Sequence, residues 1–153
     1  MNQLASEIMT VAPLIVVHPN DRVPKVAALL RDHHISAAPV VDAEGKLLGL
    51  VSESDLIRHL GTEHDKRKAW WLELLSEGED LATEFLDYLK EENRTAGDVM
   101  NREVVSVNEG TSVGEIVDLF AKHNIKRVPV VREGKLVGIV ARADIIRSLA
   151  SPA

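Results

Sequence analysis

The chain has 153 residues, is 45% hydrophobic but only 3% aromatic, and carries a formal net charge of −6. With no cysteine it can form no disulfide, thiol nucleophile or Cys-ligated zinc site. Its length suits one domain, or two small subdomains sharing a core of Val, Ile, Leu and Ala. No apolar run approaches the roughly 20 residues that span a bilayer, so a soluble, cytoplasmic protein with no membrane partner is expected.

In chain order, Ala5 to Met9 precedes a short apolar run, Ile15 to Val17, that reads as a strand. Pro19-Asn20-Asp21 is a turn and helix-start signal, and Val23, Val26, Ala27, Leu29 and Leu30 follow at helical spacing. Two apolar runs, Ala38 to Val41 and Leu47 to Val51, are joined by Asp42-Ala43-Glu44-Gly45 and predict a hairpin; a helix then begins near Glu53. Residues 61–94 break this pattern. Leu72, Leu74 and Leu75, then Leu81, Phe85, Leu86 and Leu89, predict two helices divided near Ser76 to Glu79, with Trp70-Trp71 just ahead of them. The stretch is too apolar for a disordered tether.

The pattern then returns. Ala96 to Met100 repeats Ala5 to Met9, and Val104 to Val107 reads as a strand. Asn108 to Thr111 is a helix-start signal, and Val113, Ile116, Val117, Leu119 and Phe120 have helical spacing. Val128 to Val131 and Leu136 to Val140 form a second hairpin pattern across Arg132 to Lys135, and a last helix begins near Arg142. His33-His34-Ile35 before Pro39-Val40-Val41 matches His123-Asn124-Ile125 before Pro129-Val130-Val131, and Gly45-Lys46-Leu47 matches Gly134-Lys135-Leu136. A unit of about 55 residues is too small to bury a good core alone. Two such units are expected to pack with pseudo-twofold symmetry, with a ligand at the seam.

Charge follows the same division. Residues 1–60 carry five Lys/Arg against seven Asp/Glu, residues 61–94 five against ten, and residues 95–153 eight against seven. An acidic middle argues against a broad nucleic-acid surface, while the mildly basic second repeat leaves room for a local phosphate site.

These blocks resemble a pair of cystathionine-β-synthase (CBS) domains, together a Bateman module. The resemblance rests on Asp98-Val99-Met100, on Ile125-Lys126-Arg127-Val128-Pro129-Val130-Val131, on Gly138-Ile139-Val140 running to Asp144, and on the matching blocks of the first repeat. It implies an α/β (α+β) fold of two tandem βαββα repeats, at 1–60 and 95–153, with a helical insertion at 61–94. It also implies a regulatory module rather than an enzyme, binding an adenosine-containing ligand (AMP, ADP, ATP, S-adenosylmethionine or NAD) in clefts between the repeats. No cofactor is required. In the family pattern Gly-h-x-Ser/Thr-x-x-Asp, where h is apolar, the Asp holds ribose hydroxyls and the Ser/Thr helps with ribose or phosphate. Carried over, Asp55 and Asp144 take ribose, Ser52 assists, and Lys126 and Arg127 reach phosphate. Ile35, Ile125 and Val128 lie near the base, and Ser36 and Arg142 stand beside them. The second repeat departs from the pattern with Ala141 in the hydroxyl position, and the first has Ser36 and Ala37 where the second has Lys126 and Arg127.

Each motif also has a plain reading. Ser52-x-x-Asp55 has the spacing of a capping box, whereas Asp144 persists although Ala141 has no capping side chain, which points to a ligand role unless the helix dipole accounts for it. Lys126-Arg127 is either a solvated edge or a phosphate site. Arg142, Arg147 and Arg58 could add charge at the same helix starts. His33 and His123 occupy equivalent helix ends, without metal-ligand spacing, and no catalytic triad, Walker loop or Gly-x-Gly-x-x-Gly loop is present. Trp70-Trp71 packs either on its own module or in a homodimer contact. A homodimer serving an unidentified effector protein is expected. A structural protein-interaction module without ligand and a weak nucleic-acid binder remain as alternatives.

Overall fold

A computed structural model describes residues 3–11, 13–58 and 93–150. The helices expected over 61–94, with Trp70 and Trp71, therefore lie outside the described residues apart from Asn93 and Arg94. The described elements run α1 (Ala5–Ile8), α2 (Val23–Asp32), β1 (Ala37–Val41), β2 (Leu47–Ser52), α3 (Glu53–Arg58), α4 (Ala96–Val99), β3 (Val107–Asn108), α5 (Val113–His123), β4 (Arg127–Arg132), β5 (Lys135–Ala141) and α6 (Arg142–Ala150). The mixed α/β repeat is thus present twice.

Two compact units form, and they are not the two halves of the sequence. One contains Met1–Leu14, Glu44–Leu47 and Val104–Ala153; the other contains Ile15–Ala43 and Leu48–Glu103. The short opening helix of each repeat therefore packs with the hairpin of the other repeat. In the first unit, Ala5 of α1 is buried with Val113, Ile116, Val128, Val130 and Val140, and Ile8 and Met9 pack against that cluster. In the second, Ala96, Val99 and Met100 join Val23, Val26, Leu30, Val40 and Val51. Aliphatic side chains fill both cores, as the scarcity of aromatics requires.

Two glycines admit these opening segments. A Cβ at Gly49 of β2 would lie 2.7 Å from the carbonyl oxygen of Asn101 and 3.0 Å from Sδ of Met100. At Gly138 of β5 it would lie 2.5 Å from Sδ of Met9 and 3.1 Å from the carbonyl oxygen of Thr10. Backbone pairs fix both approaches: Leu50 with Asn101, at 3.0 and 2.8 Å, and Thr10 with Ile139, at 2.8 and 3.0 Å.

The hairpins follow the sequence pattern, whereas the first strands are shorter than expected. β4 and β5 pair antiparallel, with an irregularity at Val130/Val131, and β3 joins β4 in parallel. Only Val107 and Asn108 pair from the run beginning at Val104. Of Ile15 to Val17, Val17 alone bridges, to Val40, donating to Pro39 and accepting from Val41, each at 2.9 Å. β-Branched composition favours an extended chain, but a strand also needs a partner along its length.

The helix starts also differ in detail. Asp21 accepts from the His18 backbone N–H at 2.9 Å, closing a turn ahead of α2 rather than capping it. In the second repeat Ser112 caps α5, its Oγ accepting from the Glu115 N–H at 3.2 Å. His33 is the C-cap of α2 and His123 the last residue of α5, in keeping with the helix-end reading.

Candidate functional site

The junction between the last strand and last helix of each repeat carries the acids singled out from the sequence. Asp55 and Asp144 are each buried, with 5% of their surface exposed. Asp55 Oδ2 accepts from the Ser52 N–H and the Ser52 hydroxyl, both at 2.9 Å, while Ser52 Oγ accepts from the Asp55 N–H at 3.2 Å. This is a complete capping box. Ser52 is consumed by it, which is the plain reading of that motif. The Arg58 guanidinium donates to Asp55 Oδ1 at 2.7 Å.

Asp144 makes the same reach without a hydroxyl at 141. Its Oδ2 accepts from the Ala141 backbone N–H at 2.8 Å. Half of a capping box needs only the backbone, so the persistence of Asp144 opposite Ala141 does not by itself argue for a ligand. Its other oxygen is distinctive. Oδ1 accepts from the Thr10 hydroxyl at 3.2 Å and from the Arg147 guanidinium. Arg58 and Arg147, expected to add positive charge at the helix starts, instead pair with the acids three residues before them.

Asp144 lines a cavity of about 420 Å³ with Gln3, Glu7, Ile8, Met9, Thr10, Arg147 and Ser148, all within one compact unit. That volume is in the range of small-molecule sites. In chain terms it joins the opening of the first repeat to the last helix of the second. The lining is mainly polar: Thr10, Gln3 and Ser148 supply uncharged hydrogen-bonding groups, while the half-buried Ile8 and Met9 also pack against the core of their unit.

The other expected site residues fall outside this cavity. Lys126 and Arg127 sit beside the junction through their backbones: the Arg142 N–H donates to the Lys126 carbonyl at 3.1 Å, and Arg127 pairs with Ala141. Ser36 is placed likewise in the first repeat, its carbonyl accepting from the Glu53 N–H at 3.0 Å. Neither Lys126, Arg127 nor Arg142 lines the cavity. Ile35 and Ile125 are half-buried, and Ile35 packs on the core of its own unit. Val128 has no exposed surface and belongs to the core.

No motif in the sequence marks Glu7, Ile8, Met9 or Thr10 as a site residue. The available signal was positional: Met9-Thr10 ends the opening block of the first repeat and is matched by Met100-Asn101. Among the described residues no cluster of His, Cys, Asp or Glu could hold a metal ion, and no helix is long and apolar enough to cross a membrane.

A family model described as the CBS domain matches residues 5–62 and 96–151. The chain belongs to the CBS domain family, whose paired domains are in general regulatory rather than catalytic. It is 36% identical over 145 residues to uncharacterized protein MJ1426 of Methanocaldococcus jannaschii, spanning 90% of this chain and 86% of that one. It is similar to CBSX2 of Arabidopsis thaliana, solved in complex with AMP, at a TM-score of 0.70 and 26% identity over 95% of each chain. It is also similar to the CBS domain pair of protein MJ0100, solved with 5′-methylthioadenosine and S-adenosyl-L-methionine, at a TM-score of 0.66 and 26% identity over 97% of each chain.

Proposed function

We propose that this chain is a regulatory module that binds an adenosine-containing small molecule in the cavity at Asp144. The observation that carries the reading is the buried Asp144 carboxylate set into that cavity beside Thr10 and Met9. The ligands of CBSX2 and MJ0100 share an adenosine moiety, which supports the same class here. In this reading the ribose hydroxyls take the place of the Thr10 hydroxyl and the Arg147 guanidinium on Oδ1, while the Ala141 N–H keeps Oδ2 fixed. A carboxylate already held by the backbone needs little rearrangement to receive a diol.

The module would act without a required cofactor and without chemistry of its own, passing ligand occupancy to an effector protein through a homodimer. Calorimetry with AMP, ADP, ATP, S-adenosylmethionine and NAD tests the reading. At least one should bind and raise the melting temperature, by about 2.7 kcal/mol of added stability at a hundredfold excess over Kd. Asp144→Ala should weaken binding by about 1.5–3 kcal/mol through the lost charge-assisted hydrogen bonds. Asp55→Ala should weaken it less, because Asp55 does not line that cavity. Failure of the whole panel below millimolar would leave the protein-interaction module as the reading.

A further inference from the structure

The arginine three residues after each buried acid is no part of the cap that the acid forms. Glu7 and Asp98 accept from the backbone N–H three residues earlier, as Asp55 and Asp144 do. Yet both are exposed, and Thr10 and Asn101 stand three residues after them. Of these four acids only the two buried ones are followed by arginine, and Arg58 and Arg147 each donate to Oδ1, the oxygen the cap leaves over. Burial supplies the reason, because a carboxylate with little exposed surface is costly unless a cation or several donors meet it. The Arg147 side chain is 68% exposed against 5% for that of Asp144, and it lines the cavity. An ion pair with one partner so exposed is weak and screened by salt, so the guanidinium can turn off Oδ1 at little cost.

We propose that Arg147 is an autoinhibitory latch on the Asp144 cavity, covering Oδ1 in competition with the ligand and setting the affinity by how often it stands aside. The inference rests on the adenosine reading above and adds the residue that regulates it. A guanidinium presents N–H donors where a ribose diol presents O–H donors, so the two exclude each other on one oxygen. Only molecules with the latch open are competent, and the apparent Kd is the intrinsic value divided by that competent fraction. Removing the guanidinium, or screening its pairing with salt, raises the fraction and tightens binding.

The full chain is titrated by calorimetry as wild type, Arg147→Gln and Arg147→Lys with adenosine and 5′-methylthioadenosine, neutral probes that give the arginine no phosphate to meet. Arg147→Gln should bind both about two- to fivefold more tightly than the wild type. Arg147→Lys should fall between, because lysine keeps the charge without the planar fork. Raising sodium chloride from about 0.05 to about 1 M should tighten wild-type binding about two- to threefold and leave Arg147→Gln unchanged. An arginine that merely supports the site predicts the opposite sign. Unchanged or weaker binding by Arg147→Gln would overturn the proposal while leaving the adenosine reading intact. If the variants fail to fold, the wild-type salt response decides, since affinity for a neutral ligand that ignores salt means that no ion pair is displaced. If neither neutral compound binds any of the three proteins, the latch falls, and AMP then decides whether the adenosine reading falls with it.

Discussion

An acid in the first turn of a helix can serve the backbone, a side chain or a ligand, and four acids in this chain divide those roles. Glu7, Asp55, Asp98 and Asp144 each accept from the backbone N–H three residues earlier. Asp98 is the clearest structural case. The Thr95 N–H at 2.9 Å, and then the Thr95 hydroxyl at 3.1 Å, hold its pKa below the ordinary carboxylate value against a smaller opposing effect of burial. A carboxylate whose pKa is lowered by folding stabilises the protein above its unfolded pKa and loses that contribution as pH falls. Wild type should therefore be more stable than Asp98→Asn at neutral pH, with the difference closing as pH drops below about 4. Urea unfolding of both proteins across that range checks it. A difference that stays constant would show that the ionised carboxylate contributes nothing beyond the amide.

At the scale of elements, the exchange of the opening helices depends on one close approach in each unit. At Gly49 the nearest atom to an added Cβ is the backbone oxygen of Asn101, which is held by its pairing with Leu50. Gly49→Ala should cost about 1–3 kcal/mol through overpacking. The expected signature is a lower urea midpoint with an unchanged slope. An unchanged midpoint would mean that the Met100–Asn101 segment yields freely. At Gly138 the nearest atoms belong to the Met9 side chain, which can move more easily, but Met9 lines the cavity. The same substitution there acts on the site more than on the fold.

These approaches also show what the sequence carried. The spacing of Val113, Ile116 and Phe120, the Gly45 and Gly134 turns, and the acids at the last helix starts are local signals, and the structure follows them. Whether Ala5 to Met9 packs on its own repeat or on the other is a long-range choice that local periodicity does not encode. The cavity was half legible for that reason. Asp144 stood out by its place in the repeat, whereas Glu7, Met9 and Thr10 become site residues only once α1 lies beside α6.

The whole molecule poses the question of what the acidic, apolar stretch between the repeats is for. Residues 61–94 combine Trp70, Trp71, Leu74, Leu75, Leu81, Phe85, Leu86 and Leu89 with ten Asp and Glu residues, a composition that suits one buried and one wet face. A module of 153 residues has little surface of its own to spare for so many large apolar side chains. Association of two copies is the commonest remedy, usually with twofold symmetry. The segment is therefore expected to form or border a homodimer interface. Replacing Trp70 and Trp71 together with Ala should shift sedimentation from dimer toward monomer. Adenosine-ligand binding per chain should largely persist, because every described residue lining the Asp144 cavity lies elsewhere in the chain. A wild-type protein that sediments as a monomer at high micromolar concentration would end this reading and return the tryptophans to packing within one chain. Loss of ligand binding in the double variant would instead tie the segment to the cavity.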